Sequence, residues 1–231
     1  MSPITSCVLL DQNPSRATIE ALLNTRGEQA PRFQRCDLEG LDLSRLDLRG
    51  AEFMDCQMAE VDLSRAQLAG SRWRNCRARQ ADFGLADLSD AQFLNCDLNN
   101  SRWGRAKLAS ASFTGVKLTG AQFGDNSSLG LTFKESLLIG ADLRGFSFRK
   151  QTLQALDFSE AELSACDFRE TVFEGGSLRN AHLKLARFEG ADLREADLGG
   201  LKLANAALFK GATISARQAA ALVQELGIHV A

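Results

Sequence analysis

Counted from Phe33 in steps of five, the chain places Leu, Phe or Trp at 33 of 36 positions as far as Leu208; Met58, Ala78 and Ser128 are the exceptions. Twelve of the fourteen phenylalanines and both tryptophans keep this register. Two residues ahead of each large side chain runs a second series, of small residues, with fifteen alanines, five cysteines and three serines. The other positions are polar, so the unit reads small, polar, large apolar, polar, polar, as in Ala191-Asp192-Leu193-Arg194-Glu195. A period of five matches neither the 3.6 of a helix nor the 2 of a flat strand. It requires the chain to turn in the same sense every five residues with the large side chain inward.

A longer period sits inside the first. Phe33, Phe53, Trp73, Phe93, Phe113, Phe133 and Phe173 differ by multiples of twenty, and Cys36, Cys56, Cys76 and Cys96 recur at twenty. Like residues stacked at that interval imply four pentapeptides per coil, each coil a square lying on the one before. All three prolines fall in the first 31 residues, which argues against ordinary loops in the remaining 200. These units resemble the A(D/N)LXX repeats of the pentapeptide-repeat proteins. The resemblance implies an all-β fold, a right-handed quadrilateral parallel β-helix of about nine coils over residues 31–210. At about 4.8 Å per coil it would be a rod about 43 Å long.

Such a stack needs lids at its open ends. Residues 1–30 supply an N-terminal cap: Asn13-Pro14-Ser15 can start a helix carrying Ile19, Leu22 and Leu23 on one face, with Gly27 as its stop. Residues 211–231 supply the other cap, where Ser215-Ala216-Arg217-Gln218 is a capping box. Ala219, Leu222, Val223 and Leu226 follow at helical spacing, and Ile228-His229-Val230 reads as a short closing strand.

Motifs that carry chemistry are scarce. Two histidines, His182 and His229, show no metal-ligand spacing, and neither a phosphate-binding glycine loop nor a nucleophile elbow occurs. No metal, cofactor or catalytic residue is expected, and the chain reads as non-enzymatic. The cysteines stack in one column but hold the small inward position, where a free thiol serves as a small apolar group. The N-terminus lacks the basic region and apolar core of a signal peptide. Six cysteines without an export signal fit a reducing compartment, the cytoplasm. The aspartates before many core leucines (Asp37, Asp42, Asp47, Asp62, Asp82, Asp87, Asp192 and Asp197) read as turn-forming residues.

The resemblance extends to function. Fluoroquinolone-resistance members of the family are dimeric rods proposed to mimic duplex DNA and engage DNA gyrase, and residues 214–230 are similar to the ends of such proteins. It implies DNA gyrase or topoisomerase IV as partner and a homodimer through Ile214, Ala219, Leu222, Val223, Leu226 and Ile228. Two features depart from that branch: the register has no projecting loop, and no face carries a continuous acidic stripe. The alternative is a scaffold or accessory protein, for example in secretion, docking its partner on the irregular stretch 126–156. There Asn126, Leu131, Phe146, Gln151 and Leu156 fill small positions, while Leu129, Leu137 and Ile139 point outward beside Arg144, Arg149 and Lys150. A local change of turn type is the plainer account of that stretch.

One segment, SRWRNCRARQ (Ser71–Gln80), looks like a nucleic-acid motif. With a net charge of -2 and pI near 5.8, the chain as a whole gives no drive toward nucleic acid. In register Trp73 is a core residue, and stacking by twenty sets Arg72 beside Glu52 and Arg77 beside Asp97. Arg74 and Arg79 are left as the less compensated, secondary basic patch.

Overall fold

The computed structural model describes residues 7–124, 126, 129–201, 203–224 and 228–229. The fold is a right-handed quadrilateral parallel β-helix with a helix toward each end. It divides into two compact units, Met1–Thr132 and Phe133–Ala231.

In the first unit six three-residue strands stack in parallel on one side of the coil. They are β1 (Val8–Leu10), β2 (Arg32–Gln34), β3 (Glu52–Met54), β4 (Arg72–Arg74), β5 (Gln92–Leu94) and β6 (Ser112–Thr114). From β2 onward the register is twenty: Phe33, Phe53, Trp73, Phe93 and Phe113 lie opposite one another in turn. The other three sides carry single bridges at the same interval, such as Asp37 to Gln57, Asp42 to Asp62 and Asp47 to Gln67. Strand β1 lies outside the pentapeptide register. It pairs Val8 with Arg32, because α1 (Arg16–Thr25) takes up most of that turn. Ser15 caps α1, Ile19 is buried beneath it, and Arg16 donates to the Asp42 and Ser44 carbonyls of the first coil.

The corners explain the period. Every residue whose number is a multiple of five, from Arg35 to Gly120, has a left-handed backbone. On three sides the corner closes as a hydrogen-bonded turn, for example Leu41 N–H to the Leu38 carbonyl at 3.2 Å. Residues at these corners include Gly, Asn, Arg, Asp and Leu but no Val, Ile or Thr, since a branched β-carbon is poorly tolerated there. Across the corner that follows the strand side, the thiols of Cys36, Cys56, Cys76 and Cys96 lie within donating distance, 3.3–3.5 Å, of the carbonyl two residues back, and those of Cys36 and Cys56 equally reach the Leu9 and Phe33 carbonyls. Ser136 donates to the carbonyl two residues back in the second unit. The cysteine column is therefore more than small apolar filling: its weak donors serve the strand ends.

The core is a set of ring stacks. Phe33, Phe53, Trp73, Phe93 and Phe113 run along the strand side with centroids 4.0–5.3 Å apart. Phe83, Trp103 and Phe123 form a second stack, 4.1 and 5.3 Å apart, that meets the first edge-on. Each indole N–H finds a serine two residues earlier, Trp73 to Ser71 at 2.9 Å and Trp103 to Ser101 at 2.7 Å. The sequence Ser-Arg-Trp occurs twice for this reason: a buried indole donor needs an acceptor, and the small inward position supplies it.

In the second unit the strands are β8 (Thr152–Gln154) and β9 (Val172–Glu174), while β7 (Thr132–Lys134) crosses the division. Its main stack lies off the side that carries β8 and β9: Phe148, Phe168, Phe188 and Phe209 at 5.0, 4.9 and 4.6 Å. Leu208 was the expected core residue there. A 3-10 segment, Leu203–Phe209, inserts one residue, so Phe209 takes the column and Thr213 bridges Asp192 at an offset of 21 rather than twenty. Phe146 and Leu156 are buried at small positions. One coil beyond Leu156 stands Gly176, with φ +82 and backbone packed onto the Leu156 peptide.

The C-terminal helix, α2 (Ala216–Gln224), starts with the expected capping box. The Ser215 N–H reaches Gln218 Oε1 at 2.6 Å, and the Gln218 N–H reaches Ser215 Oγ at 3.3 Å. Gln218 Nε2 also donates to the Leu193 and Ala196 carbonyls at 2.7 Å, seating the helix on the last coil. Ile228 and His229 lie in neither a strand nor a bridge, contrary to the expected closing strand. Val230, the third residue of that expected strand, lies outside the described residues.

Candidate interaction surfaces

With two positions of every pentapeptide turned inward, chemistry is confined to the three outward ones. The eight aspartates singled out in the sequence all serve the turns. In each, Oδ1 accepts the backbone N–H two residues on, at 2.8–3.3 Å. Where that residue is arginine, the guanidinium folds back onto the same carboxylate, as in Asp47/Arg49, Asp142/Arg144, Asp167/Arg169 and Asp192/Arg194. These hydrogen bonds hold the four carboxyls below the usual carboxylate range. A carboxyl with a lowered folded pKa stabilises the fold above its unfolded value of about 3.9 and loses that contribution as pH falls through the folded value. Stability to urea should therefore be level from about pH 7 to 5 and decline below about pH 4. A urea midpoint that rises on acidification would contradict it.

The expected docking stretch is divided between the units. Leu129, in the first, is 76% exposed; Leu137, in the second, is 38% exposed and Ile139 is half-buried. Its cationic rim is neutralised within the chain: Arg144 forms a two-pronged pair with Asp142, while Arg149 and Lys150 share Glu170 at 2.7 and 3.5 Å. The expected change of turn type is not seen over 135–156: Glu135, Gly140, Gly145, Lys150 and Ala155 keep the left-handed corner, and Phe146 and Leu156 are buried at the small positions.

The basic segment needs a correction. Arg72 pairs with Glu52 as expected, but Asp97 takes Arg79 at 2.8 Å, not Arg77. Arg79 is thus compensated, and Arg74 and Arg77 are the two without a carboxylate partner among the described residues. Residues 77 and 97 share a backbone bridge, and it is the side chain two residues on that reaches back to the carboxylate.

At the C-terminal end Ile214, Ala219, Leu222 and Val223 are half-buried, and no residue of α2 is fully enclosed. Ile228 is 52% exposed, and Leu226 lies outside the described residues. A cleft of about 550 Å³ runs between the last coil and α2, lined by Arg179, Arg194, Asp197, Arg217, Gln218 and Leu222. Two of its arginines are already engaged, Arg179 with Asp197 and Arg194 with Asp192.

All six cysteines are buried free thiols, and burial pushes Cys166 up to about 12. Among the described residues no group of three or more His, Cys, Asp or Glu is arranged to hold a metal ion. No described helix is long and apolar enough to cross a membrane.

Two features could have been found by register arithmetic, although no motif announces them. One is the Ser–Trp pairing. The other is a corner column, Arg45, Arg65, Leu85 and Arg105, whose members lie twenty apart and outside the core.

Comparison with known proteins agrees with the architecture. The family described as pentapeptide repeat region matches residues 29–103, and pentapeptide repeats (8 copies) match 86–125, 133–169, 161–200 and 173–208. No curated protein matches the chain. Among solved structures, HetL, a pentapeptide repeat protein involved in heterocyst differentiation regulation from the cyanobacterium Nostoc sp. strain PCC 7120, is similar with a TM-score of 0.65. It has 20% identity, over 82% of this chain and 86% of HetL. QnrB1, a plasmid-mediated fluoroquinolone resistance protein, in its trypsin-treated M102R form, gives a TM-score of 0.59. Its identity is also 20%, over 97% and 98% of the two chains. With repeats matched over most of its length and coils of four pentapeptides, the chain belongs to the pentapeptide-repeat family.

Proposed function

We propose that this protein acts by presenting a rigid surface to another protein, and specifically that it engages DNA gyrase or topoisomerase IV and relieves inhibition by fluoroquinolones. The observation that carries this reading is the C-terminal end. There α2 is seated by Gln218 while Ala219, Leu222 and Val223 stay half-covered, leaving an apolar stripe that a second copy of the chain would cover. QnrB1, whose fold this chain shares, is a fluoroquinolone resistance protein. Charge mimicry of DNA has a small part in the reading, because the aspartates are engaged by their own turns and arginines. The second reading places an accessory-protein contact at Leu137, an apolar side chain exposed on a polar face.

One set of measurements separates these. The purified protein at micromolar concentration should restore gyrase supercoiling in the presence of ciprofloxacin, and light scattering should give twice the chain mass. Leu222→Glu should halve that mass and lose the protection. If Leu137→Lys loses the protection while Leu222→Glu keeps it, the contact lies at the mid-chain patch. No effect of the wild-type protein on supercoiling would reject the gyrase reading outright.

A further inference from the structure

The corner column of the first unit is built against its own convenience. Arg45, Arg65, Leu85 and Arg105 have φ values of 63, 60, 61 and 58, in a region that favours glycine or asparagine over arginine. Backbone bonds lock the column, Arg45 N–H to Ser64, Arg65 N–H to Gly84 and Leu85 N–H to Gly104. Successive members are therefore about one coil, roughly 4.8 Å, apart. Arg45 and Arg65 are adjacent like charges, and among the described residues none of the three arginines has a carboxylate at ion-pair distance. Arg16, Arg35, Arg49, Arg79 and Arg102 in the same unit all do.

The flanks make the column a ridge. The residues just before its members are Ser44, Ser64, Gly84 and Gly104, too small to cover it. The carboxylates two residues before Ser44, Ser64 and Gly84 turn to the backbone instead: Asp42, Asp62 and Asp82 accept the N–H of Ser44, Ser64 and Gly84, and Asp42 and Asp82 also hold Arg16 and Arg102. In the middle stands Leu85, 41% exposed. We infer that this ridge is a docking site for an acidic protein segment that carries an apolar side chain between its carboxylates. Charge complementarity supplies the attraction, and Leu85 sets the partner class. Phosphate backbone would gain nothing from a leucine, and a ridge one residue wide is too narrow for a duplex. The ridge belongs to the first unit and α2 to the second, and the inference stands whether or not gyrase is the partner.

The test uses the full chain and a fluorescein-labelled peptide of glutamates flanking two leucines, read by anisotropy. Binding should be seen at about 50 mM salt and be largely lost at about 500 mM. R45Q/R65Q/R105Q should weaken it at least about tenfold, as should L85E, whereas R49Q/R79Q, at paired arginines, should leave it within about twofold. R45G/R65G/R105G should bind as poorly as the glutamine variant yet melt at or above the wild type, showing that the loss is not unfolding. Equal binding by wild type and R45Q/R65Q/R105Q would overturn the inference. So would a DNA duplex that displaces the peptide and depends on the same three arginines.

Discussion

Replacing Trp103 by alanine is expected to destabilise the protein by about 3–5 kcal/mol, the range for emptying a large aromatic site in a packed core. The indole is fully buried and stacks between Phe83 at 4.1 Å and Phe123 at 5.3 Å, with Phe93 and Phe113 edge-on beside it. Its neighbours belong to ladders fixed by backbone bonds every twenty residues, so they cannot collapse into the vacancy. Ser101→Ala isolates the polar share of this loss. It leaves the ring in place but its N–H unpaired, at about 1–3 kcal/mol. Ser101 itself keeps a partner when the indole is removed, since its hydroxyl donates to the Leu98 carbonyl at 2.6 Å. The double change S101A/W103F removes donor and acceptor together and should be milder than W103A. Urea denaturation followed by circular dichroism decides among these; a loss below about 1 kcal/mol for W103A would show that the stack yields.

Gly176→Ala is expected to be as severe, above about 3 kcal/mol, although it adds one methyl group. A β-carbon there would overlap the Leu156 carbonyl oxygen, a backbone atom that cannot swing aside. That same oxygen accepts the Ser177 N–H at 2.9 Å, so relieving the overlap breaks a rung of the ladder. Gly175 is the control within the same turn. Its φ is +76 but nothing lies within 4 Å of the place a methyl group would take, so Gly175→Ala should lose only the conformational preference, about 1–2 kcal/mol. Equal effects at the two positions, compared by thermal melting, would mean that backbone conformation alone matters and that the Leu156 contact does not.

Much of this architecture could be read in the amino-acid sequence because one rule is repeated with little interruption. Phe33 and Phe53 are related by the same arithmetic as Phe93 and Phe113, so inward and outward positions followed without any knowledge of turns. The rule lost force where other elements intervened. Strand β1 stands before the first pentapeptide and is set by where α1 ends. Phe209 displaced Leu208 because a 3-10 segment added a residue that no pattern of side chains announced. Interaction surfaces were less legible for a different reason. Column neighbours were correctly placed by twenty, yet Arg79 rather than Arg77 reaches Asp97, since long side chains choose partners by reach and not by register. Arg45, Arg65 and Arg105 were in plain view, but as single residues scattered among other polar positions they lacked the look of a motif.

The inward pair in each pentapeptide has a consequence beyond packing. Two residues in five fill the core, and the other three meet the backbone only through the left-handed corner and the aspartate that accepts a turn N–H. A lineage built on such a coil can redraw its surface one column at a time without passing through misfolded intermediates. HetL and QnrB1 share the fold with this chain at 20% identity. The coil behaves as a ruled page: its lines are fixed, and each descendant writes its own message between them.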